Sequence, residues 1–525
     1  MASLTPAAMH PLVGQLAGSP ASAWLANART LMVQKNLADA LAVLEAGVQA
    51  HSTSTELRLA LAGAWLEQGA PRKAEEVLHA LLADSPRHAA ATFLLARLLH
   101  SEGRIGAMAQ TLCALFTQPN QDIEHRIQAI ELLDESGHQQ DALTLCEDGI
   151  AAGASDARLH VHAGRLAAQL GRFELARTRY LFALDHSPQA LTWQLPLALT
   201  ELQRYASGDH PDIARFADLL ARRDINAHER SGLLFALAKA HDDIGDYAAA
   251  AAYLRDANAL RHASVRWSRK LWRRSVDVRL QRAPPAYRHA PSIPWTPIFI
   301  VGAPRSGTTL IAERLARHPQ VRLRGEENWF PQLADTLDSE EQPSPALVEQ
   351  AATIYAAQLR QDDAEAQWYI DKQPFNFLHV DRILALFPHA RIIYCLRQAR
   401  DNALSLWMQS FPPGVQDYAY DLNDIAAVLQ GAHRLCAHWK QRYPASVHVL
   451  RYEEMVGDPE PHLAQLSTWL MLPPHDLLGA STGASALRTA SLWQARQPIH
   501  NRSVGRWKHY APFVPELGRM EDKAV

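Results

Sequence analysis

A period of 34 residues runs through the first half of the chain and constrains its fold more than any other feature. Ala40, Ala74, Met108, Ala142 and Ala176 stand at that spacing, and five residues before each stands Lys35, Gly69, Gly103, Gly137 or Gly171. Between these marks Ala and Leu recur at helical spacing. Glycine permits a tight turn between two helices, and small Ala side chains let those helices approach closely. Each period therefore reads as a helix–turn–helix unit. One unit cannot bury its own apolar face, so the copies must stack into an α solenoid. The fullest copy, LGRFELARTRYLFALDHSP, carries Gly171, Ala176, Ala183 and Pro188 at the phase positions. A later copy, IGDYAAAAAYLRDANAL, keeps Gly245, Tyr247, Ala250 and Ala257 but is out of phase, which places an irregular insertion around residues 189–228.

This period and pattern resemble tetratricopeptide repeats. The resemblance implies a concave surface that binds a protein or peptide, or one that pairs two copies into a homodimer. The repeats are expected over residues 1–260. The remaining chain needs a core of its own, because 525 residues exceed the 250–300 or so at which a single core stops growing. Residues 261–295 change character. Arg261, Arg266, Arg269, Lys270, Arg273, Arg274, Arg279 and Arg282 interleave with Trp267 and Trp272, and a Pro-rich stretch, APPAYRHAPSIPWTP, follows. The basic run reads as a helix that either caps the solenoid or attracts an acidic substrate, and the Pro-rich stretch reads as a linker.

Composition removes several function classes. With 48% hydrophobic and 20% charged residues the chain is globular. A formal net charge of −3 gives no general attraction for nucleic acid. The 4 cysteines contain no CxxC pair, so neither a zinc site nor a disulfide framework is expected. No apolar run reaches the ~18 residues of a membrane span. Met1 to Ala26 lacks a basic segment followed by an apolar one, so a cytoplasmic protein is expected.

Residues 296–525 carry the chemistry. Ile298-Phe299-Ile300-Val301 reads as a buried strand, followed by the loop Gly302-Ala303-Pro304-Arg305-Ser306-Gly307-Thr308-Thr309 and a helical pattern. Strand, glycine-containing loop and helix N-terminus together form a phosphate cradle. The GxxxxG spacing is that of nucleotide-triphosphate loops, yet Thr308 stands where those loops place lysine, and Arg305 lies inside the loop. Further strand runs at Arg391–Leu396 and Val447–Leu450 predict an α/β domain with a mostly parallel sheet and its site at the strand C-terminal ends.

The string PRSGTTL resembles the phosphosulfate loop of sulfotransferases that use 3′-phosphoadenosine 5′-phosphosulfate (PAPS). That resemblance places Arg305, Ser306, Gly307, Thr308 and Thr309 at the 5′ end of the nucleotide. The segment from Arg397 to Ser405 resembles the family's 3′-phosphate motif and implies that these two residues hold that phosphate; Gln398-Ala399 departs from the usual pattern between them. Gly325-Glu326-Glu327 resembles the catalytic-base segment of tyrosylprotein sulfotransferases. It implies Glu327 as base, with Glu326 the alternative because one residue is inserted before Gly325. Lys372-Gln373-Pro374-Phe375 resembles the family's lysine segment, which implies that Lys372 stabilises the leaving nucleotide together with Arg305. Arg451-Tyr452-Glu453-Glu454 resembles the segment whose tyrosine lies near adenine, and Asn501 to Tyr510 resembles a late closing loop, with Arg502 and Ser503 as phosphate contacts. Taken whole, the chain resembles a bacterial tetratricopeptide-repeat sulfotransferase. The implied reaction moves a sulfuryl group from PAPS to a hydroxyl, protein tyrosine being one acceptor, without a metal. Two other readings stand beside it: an ATP-dependent kinase-like enzyme, which the missing loop lysine disfavours, and a repeat scaffold with an inactive nucleotide domain.

Overall fold

The computed structural model describes residues 11–117, 122–289, 293–326, 329–340, 342–362, 365–479 and 499–520. One compact unit runs to Asp148 and takes in Gln361 and Asp362, and a second begins at Gly149.

In the first unit, paired helices such as Leu37–Ala50 with Thr55–Glu67, and Pro71–Asp84 with Ala89–Ser101, follow one another through short turns. The 34-residue marks have a physical meaning here. Ala40, Ala74, Met108 and Ala142 are fully buried, each in the second turn of a helix. The residues five before them take left-handed backbone: Lys35 at φ 58°, Gly69 at 74°, Gly103 at 73° and Gly137 at 88°. Lys35 is the exception to glycine, at a cost of roughly 1–2 kcal/mol.

In the second unit the pattern continues with helices Ala157–Gln169 and Phe173–His186, between which Gly171 again has φ 78°. A Cβ on Gly164 would lie 2.5 Å from the Tyr180 ring, which is why a glycine stands in that helix. The expected insertion contains helices Leu195–Thr200 and Pro211–Ala221. Two longer helices, Ala227–Ile244 and Tyr247–Ser264, follow it.

A five-stranded parallel sheet then forms: β1 (Thr296–Gly302), β2 (Val321–Leu323), β3 (Trp368–Asp371), β4 (Arg391–Leu396) and β5 (Val447–Arg451), in the order β2-β3-β1-β4-β5. Alternate residues of β1 serve two cores. Phe299 and Val301 join a core that also contains Leu234, Phe235 and Leu254 of the last two repeat helices. Ile298 and Ile300 pack with Ile311, Leu315 and Met455 on the other face. The chain moves outward from β1 to β2, returns to β3, then crosses to β4 and β5. This reversal falls between β1 and β4, whose C-terminal ends are the usual ligand position in such sheets.

The basic helix is Arg269–Gln281. Its Trp272 and Val276, four residues apart, pack on helix Leu422–Arg442, where Trp272 Nε1 donates to the Ala427 carbonyl at 3.0 Å. Gly431 makes room, since a Cβ there would lie 2.7 Å from that indole nitrogen. Beyond the helix, Arg282 pairs with Asp338 at 2.9 Å and Asp381 at 3.1 Å. Part of the basic run is thus consumed in packing this segment onto the sheet domain. Among the described residues no helix is long and apolar enough to cross a membrane.

Candidate functional site

The cradle follows from three unusual backbone positions. β1 ends at Gly302 with φ 143°, and a Cβ there would come within 2.3 Å of the Cys395 carbonyl on β4. The loop turns through Arg305, left-handed at φ 69°, and Gly307 at φ 99°. Helix Thr308–Leu315 starts there with no side chain capping its first turn, so its N-terminal N–H groups face the loop. The Tyr452 ring lies against Gly307, where a Cβ would sit 2.6 Å from Cδ2. Thr308 is buried and Thr309 half-buried. Ser306 is buried, and its Oγ has no hydrogen-bond partner among the described residues.

Arg397 follows β4 directly. Its guanidinium donates to the Arg305 carbonyl at 3.0 Å and the Ser503 carbonyl at 2.9 Å, and stacks on Tyr452 at 4.8 Å. Its Nε is buried and has no partner among the described residues. Arg305 Nε donates to Ser405 Oγ at 3.0 Å. Tyr452 and Ser503 share a hydroxyl–hydroxyl hydrogen bond of 2.9 Å. The structure gathers Arg305, Arg397, Ser405, Tyr452 and Ser503 into one cluster, which brings together residues that the resemblance assigns to the 5′ and the 3′ side of the nucleotide. Burial, and next the neighbouring Arg397 charge, pulls Arg305 down to about 10. Burial lowers Arg397 as well. Two crowded, desolvated guanidiniums beside an uncapped helix start suit an anion chemically.

Lys372 follows β3 and is only 3% exposed. Its backbone N–H donates to the Gly325 carbonyl at 3.0 Å, and its ammonium pairs with the Glu326 carboxylate. Glu327 lies outside the described residues. Behind Lys372, buried Asp371 accepts from Asn376 Nδ2 at 3.1 Å and from the Tyr355 hydroxyl. Arg502 is exposed.

Two further residues support this site. Asn402 donates to the Pro304 carbonyl at 2.8 Å and so fixes the loop. Asp401 accepts from the backbone of Gly505 at 2.6 Å and Trp507 at 2.9 Å, holding the segment that carries Ser503. Both lie inside the Arg397–Ser405 motif, so the signal was present in the sequence. Glu201 comes from the repeat region, and nothing local marks it as a neighbour of Arg305. Burial raises the Glu201 carboxyl to about 7, with Arg305 and Lys239 opposing the rise. A carboxyl raised in the folded state contributes stability below its unfolded value of 4.5 and loses it as pH climbs through 7. The melting temperature of Glu201→Gln minus that of the native chain should therefore increase across this window; a difference that stays flat from pH 4.5 to 7 would show the carboxyl to be unperturbed.

Comparison with known proteins finds similarity in both halves of the chain. Residues 297–476 match the sulfotransferase family model. Over this stretch the sheet half of the chain is similar to the sulfotransferase family. Residues 31–98 match the tetratricopeptide repeat. An uncharacterized protein of Aquifex aeolicus is 28% identical over 263 residues, 44% of this chain; the chain spans only 35% of that protein's length. Protein-tyrosine sulfotransferase 1 of Danio rerio is 25% identical over 256 residues, covering 42% of this chain and 71% of that one. Among solved structures, the sulfotransferase domain from the Synechococcus PCC 7002 olefin synthase is 20% identical, with a TM-score of 0.32, over 43% of this chain and 91% of that one. All of these alignments cover less than half of the chain.

Proposed function

We propose that this chain transfers a sulfuryl group from PAPS to a hydroxyl acceptor. The observation that carries the reading is the Arg305–Arg397–Ser405–Tyr452–Ser503 cluster at the mouth of a phosphate cradle without the loop lysine. The orphaned, buried Ser306 Oγ and Arg397 Nε fit anionic oxygens, and the space that a Cβ on Gly307 would fill lies beside Tyr452. In this reading Ser306, Thr308, Thr309 and the helix N–H groups hold the 5′ end, while Arg397 and Ser405 hold the 3′-phosphate. Tyr452, Arg502 and Ser503 close over the nucleotide.

The acceptor oxygen attacks sulfur as the bond from sulfur to the phosphate oxygen breaks. The bonding pair leaves with adenosine 3′,5′-bisphosphate, and Lys372 and Arg305 neutralise the charge that grows there. Glu327 takes the acceptor proton. Because Glu326 is already engaged with Lys372, it serves that lysine and Glu327 is the better base. The relatives named for protein-tyrosine sulfation support a protein tyrosine as acceptor, which the repeats would present, in a cytoplasmic setting. The test incubates the purified chain with isotopically labelled PAPS and tyrosine peptides, sugars and host extract in turn. Release of the bisphosphate with label in an acceptor supports the reading. Binding of ATP with Mg²⁺ in place of PAPS would support the kinase-like alternative, and binding without turnover on any acceptor would support the inactive scaffold.

A further inference from the structure

The closing segment Asn501–Tyr510 is held from two sides. On one side is Asp401, from the helix that also carries Ser405. On the other is the turn between the last two repeat helices. Asp242, in the final turn of Ala227–Ile244, has a nearly buried carboxylate that accepts from the Tyr510 hydroxyl at 2.6 Å and pairs with the Arg506 guanidinium. Gly245, left-handed at φ 85°, ends that helix. Tyr247, which starts the next helix, stacks on His509 at 4.8 Å and meets Tyr510 edge-on at 5.4 Å. Two residues flanking one repeat turn, Asp242 and Tyr247, thus grip three residues of the segment. Three to seven residues upstream of those contacts lies Ser503, whose carbonyl fixes Arg397 and whose hydroxyl meets Tyr452.

We propose that Asp242 is a positioning residue for the nucleotide site, supplied by the repeat region. By holding Arg506 and Tyr510 it sets where Ser503 stands, and Ser503 in turn orients Arg397 and Tyr452. The inference rests on the nucleotide reading given above. Half of this arrangement lies outside residues 297–476, so the matched sulfotransferase-family segment does not contain a complete site.

The test is calorimetric titration of adenosine 3′,5′-bisphosphate into the native full chain, Asp242→Asn and Arg506→Gln, with steady-state PAPS kinetics on the same proteins. Loss of a buried charge pair should weaken nucleotide binding and raise KM for PAPS by about ten-fold or more, while kcat at saturating PAPS stays within about two-fold. Arg255→Ala is the control. It removes a different tie to the same region, the exposed pairing with Glu516 at 3.0 Å, and should leave the dissociation constant unchanged. If Asp242→Asn does not fold, Arg506→Gln carries the test, because Asp242 then keeps its bond to Tyr510. Unchanged affinity in the variants beside a native chain that binds overturns the role of Asp242 alone. A native chain that binds no nucleotide overturns both this inference and the reading beneath it.

Discussion

Replacing Lys372 with alanine should lower turnover of PAPS by about 10²- to 10³-fold while changing nucleotide affinity far less. The expectation comes from where the lysine is held. β3 pairs with β1 so that Phe299 lies opposite Asp371, and Lys372 therefore emerges beside the strand that leads into the cradle. Its side chain is almost wholly buried and its ammonium meets Glu326, so the charge is fixed in position before any ligand arrives. A charge held in a water-poor site costs little reorganisation when negative charge develops near it. Ground-state affinity should survive because Arg397, Ser306 and the helix N–H groups remain. Single-turnover and binding measurements on Lys372→Ala separate the two quantities; a parallel loss in both would make the lysine a simple binding group. In the same assay Glu327→Gln should remove most of the rate together with the low-pH limb that a general base controls, whereas Glu326→Gln should retain both. The reverse order would exchange their roles.

Much of this architecture was legible because its causes are local. The 34-residue marks identify positions where a helix must bury a small side chain and a turn must take positive φ, and both demands fall on single residues. Lys35 fits the phase although it lacks glycine's freedom, so the spacing carried the signal there and residue type did not. The strand run Arg391–Leu396 was readable because both faces of the sheet are covered there and every residue after Arg391 is buried, whereas β5, at the sheet edge, is only partly buried and carries His448 within its run. What was not legible depends on chain folding over long separations. Asp242 meets Arg506 across 264 residues, and neither stands in a pattern that points to the other. Arg305 and Ser405 each belong to a readable motif, but their mutual hydrogen bond appears only when β1 and β4 lie side by side. The same reason hides the unit division at Asp148. Repeats of like sequence differ in what they pack against, and among the described residues Leu234, Phe235 and Leu254 of the later ones share a core with Phe299 and Val301.

Gly302→Ala should be the most destabilising single-methyl change in the sheet domain. Gly302 lies opposite Cys395 in the β1–β4 pairing, and the added Cβ would meet the Cys395 carbonyl at 2.3 Å. That neighbour is backbone in the middle of a parallel sheet, buried on both faces, and cannot swing aside as a side chain would. The backbone angle of 143° is itself one that alanine rarely adopts. Strain of this kind costs about 1–3 kcal/mol, and the steric clash adds to it. The melting midpoint should fall by about 5–10 °C, followed by calorimetry or circular dichroism. Gly307→Ala is the informative partner. Its Cβ would meet Tyr452 Cδ2 at 2.6 Å, and a ring at the site's edge can tilt where a carbonyl in a sheet cannot. The fold should therefore lose less, while nucleotide affinity should fall more, because tilting Tyr452 disturbs both its stack on Arg397 and its bond to Ser503. Equal melting losses in the two variants, with binding intact in Gly307→Ala, would mean that the tyrosine plays no part in shaping the cradle.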